Sequence, residues 1–350
     1  MEEILAKDDP ILVTGAAGFI GREVVGRLLQ LGFTRIRCFV RPSSDSTKLQ
    51  TNISRHGGDR GVELISGNLL SRDDCERAAA GAVVVYHLAA AAGKSFPSAF
   101  MNCVITTRNL LDAVVRLGSC RRFVNTGSFA IYTNRNKRNA RLLDETCPIE
   151  DRPVQRSDAY CFAKLKQDQL VADYGNRYNI PYVIVRPGVV YGPGKPRIHG
   201  RVGLDTFGVF LHLGGPNPIP FTHVENCADA IVRAGLVKGV EGEIFNVVDD
   251  DLPSSRQFLR MYKKHVRRFR SIYIPHFLSY MLCLLWEKYS DWSEGQLPAV
   301  YNRRVWFASW CRTGYSNSKI KRMLGWVPAT STTDGLKEFF ESCRADAAHA

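Results

Sequence analysis

The stretch ILVTGAAGFIGREVVGRLL, residues 11–29, constrains this chain more than any other. A short apolar run (Ile11, Leu12, Val13) meets glycines at Gly15, Gly18 and Gly21, spaced G-x-x-G-x-x-G, and the turn opens directly into a helical pattern. Strand, tight turn and helix N-terminus together make a pyrophosphate cradle. Gly15 allows the turn, Gly18 lets the backbone approach phosphate with no Cβ in the way, and Gly21 lets helix and strand pack closely. The helix end adds roughly half a positive charge and unpaired N–H donors. The spacing differs from G-x-G-x-x-G, and a glycine-rich turn alone can be ligand-free. Placement straight after an N-terminal apolar strand is what turns it into an expectation that the chain grips a dinucleotide.

Apolar runs alternate with helical patterns through the first half, which predicts a parallel sheet covered on both faces. Strands are expected at 35–40, 62–65, 82–88, 122–125 and 182–185, with a late strand at 243–248 returning to the sheet. Helices are expected at 100–117 and 157–174, and a polar surface loop at 133–156. The fold class is therefore α/β, a Rossmann-type doubly wound parallel sheet over 1–187 with a returning segment near 221–250. A smaller, mainly helical C-terminal lobe is assigned to 188–220 and 251–345. The start, MEEILAKDDP, is acidic and has no apolar signal region. Ten cysteines are scattered without a C-x-x-C pair. They read as reduced thiols of a cytoplasmic protein, with neither disulfides nor a metal site expected.

Tyr160 and Lys164 form Y-x-x-x-K on a predicted helix, one turn apart and on one face. A neighbouring ammonium stabilises a phenolate, and a tyrosine near its ordinary value of about 10 is a weak acid–base group at neutral pH without such help. An isolated Tyr–Lys pair is commonly a surface contact. Here it accompanies Ser128, at the carboxyl edge of the strand ending NTGS, where parallel sheets bind ligands. A serine there can bond a carbonyl or carbinol oxygen, or simply cap a turn.

With these residues in place the chain resembles the extended short-chain dehydrogenases/reductases, the NAD-dependent epimerase/dehydratase group. The matching text is TGAAGFIG at 14–21, HLAA at 87–90, Ser128, YCFAK at 160–164, RPGVVYGPG at 186–194, HVENCADA at 223–230 and LGWVPATSTTDGL at 324–336. The resemblance implies that Tyr160 is the acid–base residue, Lys164 binds the nicotinamide ribose, and Ser128 orients the substrate oxygen. It implies that Asn102 serves helix geometry and a water relay. The implied cofactor contacts are Gly15, Ala17, Gly18, Phe19, Ile20, Gly21, Arg41, Ser43, Ser44, Asn68, Leu69, Leu88, Ala89, Ala90, Tyr160, Lys164, Pro187 and Val189. Homodimers through a helix pair are common in this group.

NAD enzymes of this type place an acid at the end of the second strand. Here Val40 ends it and Arg41-Pro42-Ser43-Ser44 follows. Arg41 is suited to clamp a 2′-phosphate, so NADP is expected ahead of NAD. Asn68 stands where relatives often carry Asp near the adenine. Sugar-nucleotide members commonly have Asn where this chain has Val189, and an Arg–Asp pair where it has Pro220 to Asn226. Arginines 197, 201 and 303 are candidate replacements for those phosphate grips.

The formal net charge is +13, and seven of the cations fall between 256 and 270, followed by SIYIPHFLSYMLCLLWEKY. Without a nucleic-acid-binding motif, no nucleic acid is expected. The apolar run is too short and broken to span a bilayer. It suits a core helix, a lid over the substrate, or peripheral membrane contact through 256–287. It is similar to the sterol-dehydrogenase branch, where an apolar segment follows at a like place.

The expected activity is hydride transfer at a secondary alcohol or ketone carbon of a small molecule, a nucleotide-linked sugar ahead of the alternatives. One alternative is a 3β-hydroxysteroid dehydrogenase-like enzyme acting on a lipid-like alcohol. The other is a non-catalytic NADP-sensing protein, against which the intact Tyr160/Lys164 pair argues. Ser128-Phe129-Ala130 offers no acidic dyad for a dehydratase.

Overall fold

Strands buried on both faces read as continuous apolar runs, as in β1 (Ile11–Thr14) and β4 (Val84–His87) of a seven-stranded central sheet. Its other strands are β2 (Ile36–Val40), the largely exposed edge strand β3 (Val62–Ser66), β5 (Arg122–Thr126), β6 (Tyr182–Pro187) and β11 (Ile244–Val247). The computed structural model describes residues 2–58, 61–90, 95–134, 142–195, 198–206, 208–294 and 296–348. Arg197 and residues 135–141 of the polar stretch expected at 133–156 therefore lie outside the described residues. The order is β11-β6-β5-β4-β1-β2-β3, and every pairing is parallel. The strand order reverses between β1 and β4, the position where such sheets open a crevice at their carboxyl ends.

Helices cover both faces. On one side α1 (Gly21–Gln30) packs on α2 (Thr47–Arg55) and α7 (Val224–Leu236). On the other lie α3 (Arg72–Ala79), α5 (Thr106–Leu117) and α6 (Ala159–Tyr178), with the short α4 (Phe96–Phe100) against α6. The sequence predicts one helix over 100–117. Instead a π-turn, Met101–Ile105, joins α4 to α5. Such turns re-aim side chains and gather at functional sites, and hydrophobic periodicity carries no sign of one.

The remaining strands are short: β7 (Val189–Tyr191) with β10 (Phe221–His223), and a β8–β9 hairpin (Gly203–Thr206, Val209–His212) extended by β12 (Ser271–Tyr273). β7, β9 and β10 with α8 (Ser255–His265) and α12 (Thr332–Ala348) surround an aromatic core containing Tyr191, Phe221, Phe258 and Phe339, whereas α9 (His276–Trp292) and α10 (Arg303–Ser309) pack on each other and on a separate cluster of Leu213, Cys283 and Trp310. α11 (Ser318–Leu324) departs from the sequence reading. Its Ile320 and Leu324, with Trp326, pack into the main core beside α7 rather than into the smaller lobe.

Candidate active site

A cleft of about 450 Å³ lies across the carboxyl ends of β1 to β4. It brings together Gly15, Ala17, Gly18, Arg41, Ser43, Ser44, Asn68, Leu69, Leu88, Ala89, Ala90 and Asn102, all singled out in the sequence. The cradle is built for close approach. Gly15 has φ +71°, and a Cβ there would sit 2.8 Å from the Ala89 nitrogen. A Cβ on Gly21 would lie 2.1 Å from the Gly15 carbonyl oxygen, so this glycine is buried packing rather than cleft lining. The N-terminus of α1 has Ile20 at its cap and no side-chain cap. Backbone donors there are left for an anion.

Phe19, Ile20, Gly21, Tyr160, Lys164, Pro187 and Val189 do not line this cleft. Ile20 packs against the core beside α1. Phe19 carries the guanidinium of Arg22 at 5.3 Å and the ammonium of Lys195 at 5.4 Å over its ring. Pro187 is buried at the end of β6, and Val189 begins β7. Phe39, Val40, Asp45 and Thr106 line the cleft although the sequence reading passed over them. Asp45 matters most. The end of β2 carries Val40 and no carboxylate, as read from the sequence, but the loop after Arg41 brings Asp45 to the cleft wall. Its Oδ1 accepts from the Thr47 N–H at 2.9 Å, and that bonding to Thr47 holds the carboxyl below its usual range. Arg22, in the first turn of α1, lies outside this cleft and pairs with Glu23 at 3.0 Å.

At the adjoining end of β5, Ser128 caps a 3₁₀ turn (Phe129–Ile131), its Oγ accepting from the Ala130 N–H at 3.1 Å. The Ser128 side chain also acts on the Tyr160 phenol, which α6 presents from its first turn. Burial pushes the Tyr160 pKa up to about 12, and the neighbouring Ser128 opposes that rise. The sequence predicts that Lys164 lowers it. Instead, Lys164 Nζ donates to Thr126 O at 2.7 Å and to Gln167 Oε1 at 2.9 Å. The side chains acting on the phenol are Ser128, Cys103, Asp158 and Asp168. Asn102 sits in the π-turn, where its Nδ2 donates to Ser98 O at 2.8 Å and its carbonyl accepts from Thr106 Oγ1 at 2.9 Å.

Behind Lys164 runs a buried chain that the sequence did not reveal. Gln167 Nε2 donates to Thr107 Oγ1 at 2.8 Å, and that hydroxyl donates to Cys103 O at 2.5 Å. Thr107 Oγ1 therefore accepts from His87 Nε2 at 2.8 Å, which leaves His87 Nδ1 to accept from Thr14 Oγ1 at 2.8 Å. Burial pushes the imidazole pKa down to about 3, so the ring is neutral. Thr14 immediately precedes Gly15. The lysine and the glycine turn are thus the two ends of one hydrogen-bonded line. Beside it, Asp168 accepts from Asn125 Nδ2 and Arg186 Nε, both at 2.9 Å, and Arg186 donates to Tyr132 OH at 2.9 Å.

On the substrate side, Tyr191, Phe221 and Phe258 form a continuous aromatic cluster behind β7 and β10. Arg303 is paired with Glu287 at 2.9 Å. Arg201 donates to Tyr315 OH at 3.2 Å, and that ring packs 5.8 Å from Phe129, next to Ser128.

Known proteins agree with this arrangement. The chain is 30% identical over 185 residues to cinnamoyl-CoA reductase 1 of Oryza sativa subsp. japonica, a match spanning 52% of this chain and about half (54%) of that protein. It is 25% identical over 355 residues to 3beta-hydroxysteroid-dehydrogenase/decarboxylase isoform 1 of Arabidopsis thaliana, spanning 95% of this chain and 79% of that one. Its fold matches UDP-glucuronic acid 4-epimerase from Bacillus cereus, solved with UDP-glucuronic acid and NAD, with TM-score 0.70 and 21% identity over 96% of this chain and 99% of the other. Residues 11–247 carry the pattern of the NAD dependent epimerase/dehydratase family. Glycine cradle, wound sheet and residues 11–247 agree, and this chain belongs to the NAD-dependent epimerase/dehydratase family, as an enzyme of the extended short-chain dehydrogenase/reductase type.

Proposed function

We propose that this enzyme moves a hydride between a nicotinamide dinucleotide and the secondary carbinol or ketone carbon of a small molecule. The observation that carries the reading is the placing of Ser128 at the carboxyl edge of β5, where it acts on the buried Tyr160 phenol. When bound, the nicotinamide supplies the hydride acceptor or donor. The chain's residues do the rest. Ser128 fixes the substrate oxygen. Tyr160 takes the carbinol proton as the C–H hydride leaves, and returns it in the reverse direction. Lys164 uses two of its three N–H donors on Thr126 and Gln167, and keeps the third for a ribose hydroxyl. Asn102 sets the π-turn that brings Cys103 and Thr107 against this machinery.

NADP is the cofactor this site favours. Arg41 is exposed at the cleft beside Ser43 and Ser44, a donor set for a 2′-phosphate. Asp45 is turned to the first turn of α2. The substrate is a lipid-like secondary alcohol of the 3β-hydroxysteroid kind. Val189 and Phe221 stand where a diphosphate grip would be needed, and the sterol-type relative aligns over nearly the whole chain. Arg201 beside Tyr315 favours a second reading, a nucleotide-linked sugar.

One experiment separates them. Purified protein is incubated with NAD or NADP and either a 3β-hydroxysteroid or a UDP-sugar, and reduced nicotinamide is followed by absorbance. Steroid-dependent reduction supports the first reading. A tightly retained dinucleotide with UDP-sugar interconversion and no net reduction supports the second. No turnover with either class, under conditions where the cofactor binds, overturns both.

A further inference from the structure

We propose that the outer face of α9, with the basic segment that precedes it, docks this protein onto an anionic lipid surface. The proposal does not depend on which substrate is turned over.

The helix is inverted relative to an ordinary surface helix, which hides its apolar stripe and shows its polar one. In α9 the inward positions include Ser279, Cys283 and Ser290. Ser279 Oγ accepts from Trp306 Nε1 of α10 at 2.9 Å, and Glu287 pairs with Arg303 at 2.9 Å. The outward positions are Leu278, Leu282, Leu285, Tyr289 and Trp292, alternating four and three residues apart, so they form a single stripe. Phe277 (77% exposed) and Trp292 (78%) stand at its two ends. A contiguous apolar face of this kind marks a place where something else packs.

The charge beside the stripe identifies the occupant. Between residues 256 and 270 the chain carries seven Lys and Arg and no Asp or Glu. Six of the seven cations are exposed. The two features are continuous. β12 leads from the basic segment into α9, its Ile272 and Tyr273 are exposed, and the Arg256 guanidinium lies 5.1 Å over the Tyr273 ring. Apolar side chains with Trp and Tyr beside clustered cations are what a lipid interface with acidic headgroups accepts. A second copy of this chain would offer leucines to the stripe, but it would also bring seven more cations. The surface is one for lying on a bilayer. At 1.5 Å per residue, the 17 residues of α9 reach only about 25 Å, short of a roughly 30 Å hydrocarbon core. Among the described residues no helix is long and apolar enough to cross a membrane. Behind the stripe, α10 is tied to the segment that follows Ser128, through Asn134 Nδ2 to Phe307 O at 3.0 Å.

The test uses the full chain and sedimentation with phosphatidylcholine vesicles, with and without phosphatidylserine. Binding is expected with phosphatidylserine at low salt, weakening as salt rises. Leu282→Ser/Leu285→Ser and Arg267→Glu/Arg268→Glu are each expected to lose about tenfold or more in vesicle affinity. Cofactor titration and turnover of a water-soluble substrate should stay unchanged in both, which also shows that they fold. A blue shift of tryptophan emission on adding phosphatidylserine vesicles should disappear in Trp292→Ser. Three results would overturn the proposal: no binding to phosphatidylserine vesicles at low salt, binding indifferent to the leucine variant, or a dimer in light scattering that the leucine variant dissociates while vesicles are ignored.

Discussion

Gln167 offers the sharpest trial of the catalytic reading, because it touches neither substrate nor cofactor and acts only through Lys164. Lys164 is 3% exposed, and its two protein acceptors are the Thr126 carbonyl at 2.7 Å and the Gln167 amide oxygen at 2.9 Å. Burial already pulls the ammonium pKa below its ordinary value. Gln167→Leu keeps the volume and removes one acceptor. A hydrogen bond to a charged group contributes about 1.5–3 kcal/mol, which converts to roughly a ten- to hundredfold rise in the ammonium's acid dissociation constant. The charged form is the one that loses its partner, so the pKa falls further and the alkaline limb of the pH–rate profile moves toward neutrality. Gln167→Glu places a carboxylate beside the ammonium and should move the same limb to higher pH. The assay is kcat and kcat/KM against pH, with cofactor affinity titrated separately below the limb. A structural role alone would lower activity evenly at every pH. If both variants fold, bind cofactor and keep the parent's alkaline limb, Gln167 does not govern Lys164 and the reasoning fails.

Tyr160→Phe removes the transferable proton and little else. Turnover should drop by about a hundredfold or more, the range general acid–base groups supply, while cofactor still binds in a fluorescence titration; retained turnover would contradict the role given to Tyr160. Arg41→Ala should weaken NADPH by roughly tenfold, the low end for a charge-assisted bond because the side chain is exposed, and leave NADH nearly unchanged. Equal weakening in parallel titrations would dismiss a 2′-phosphate clamp. His87, pushed down to about 3, is fully stabilising as the neutral ring above its unfolded pKa of about 6.5, and that contribution is lost as pH falls. At about pH 4.5 the cost is of order 3 kcal/mol. Urea unfolding at that pH and at neutrality should show a smaller difference in His87→Gln than in the parent; equal differences would mean that the imidazole charges without penalty.

The wound sheet was legible because burial on both faces leaves little room for polar residues. β1 and β4 are buried at every position and read as apolar runs. The glycine cradle was legible because only a residue without Cβ fits where Gly15 and Gly21 meet backbone. Elsewhere the decisive contacts are not local. Gln167 lies three residues after Lys164, but its meaning depends on Thr107, sixty positions away. Asp45 escaped because the acid was sought at the strand end, whereas the loop returns a residue from further along. β8, β9 and β12 are too short to show a period, and they exist only as a set of three. The outer face of α9 was readable as an apolar run, but its orientation is set by what Ser279 and Glu287 bind on α10.

The protein as described holds its tyrosine in an unreactive state. A phenol at about 12 barely ionises near neutrality, and burial, the largest cause, is a fixed property of the fold. Relief has to come from positive charge delivered beside the oxygen. Asp168, the acid one turn beyond Lys164, is occupied by Arg186 and Asn125 rather than by the ammonium. Lys164 therefore keeps a free donor, and both of its anchors are neutral. That line of neutral partners ends at Thr14, the residue before the glycine turn. A ligand that settles the glycine turn thus bears on one end of a buried chain, and its ribose reaches the other. On the proposed reading, proton transfer therefore waits for the cofactor to be seated instead of drawing on a pre-formed phenolate.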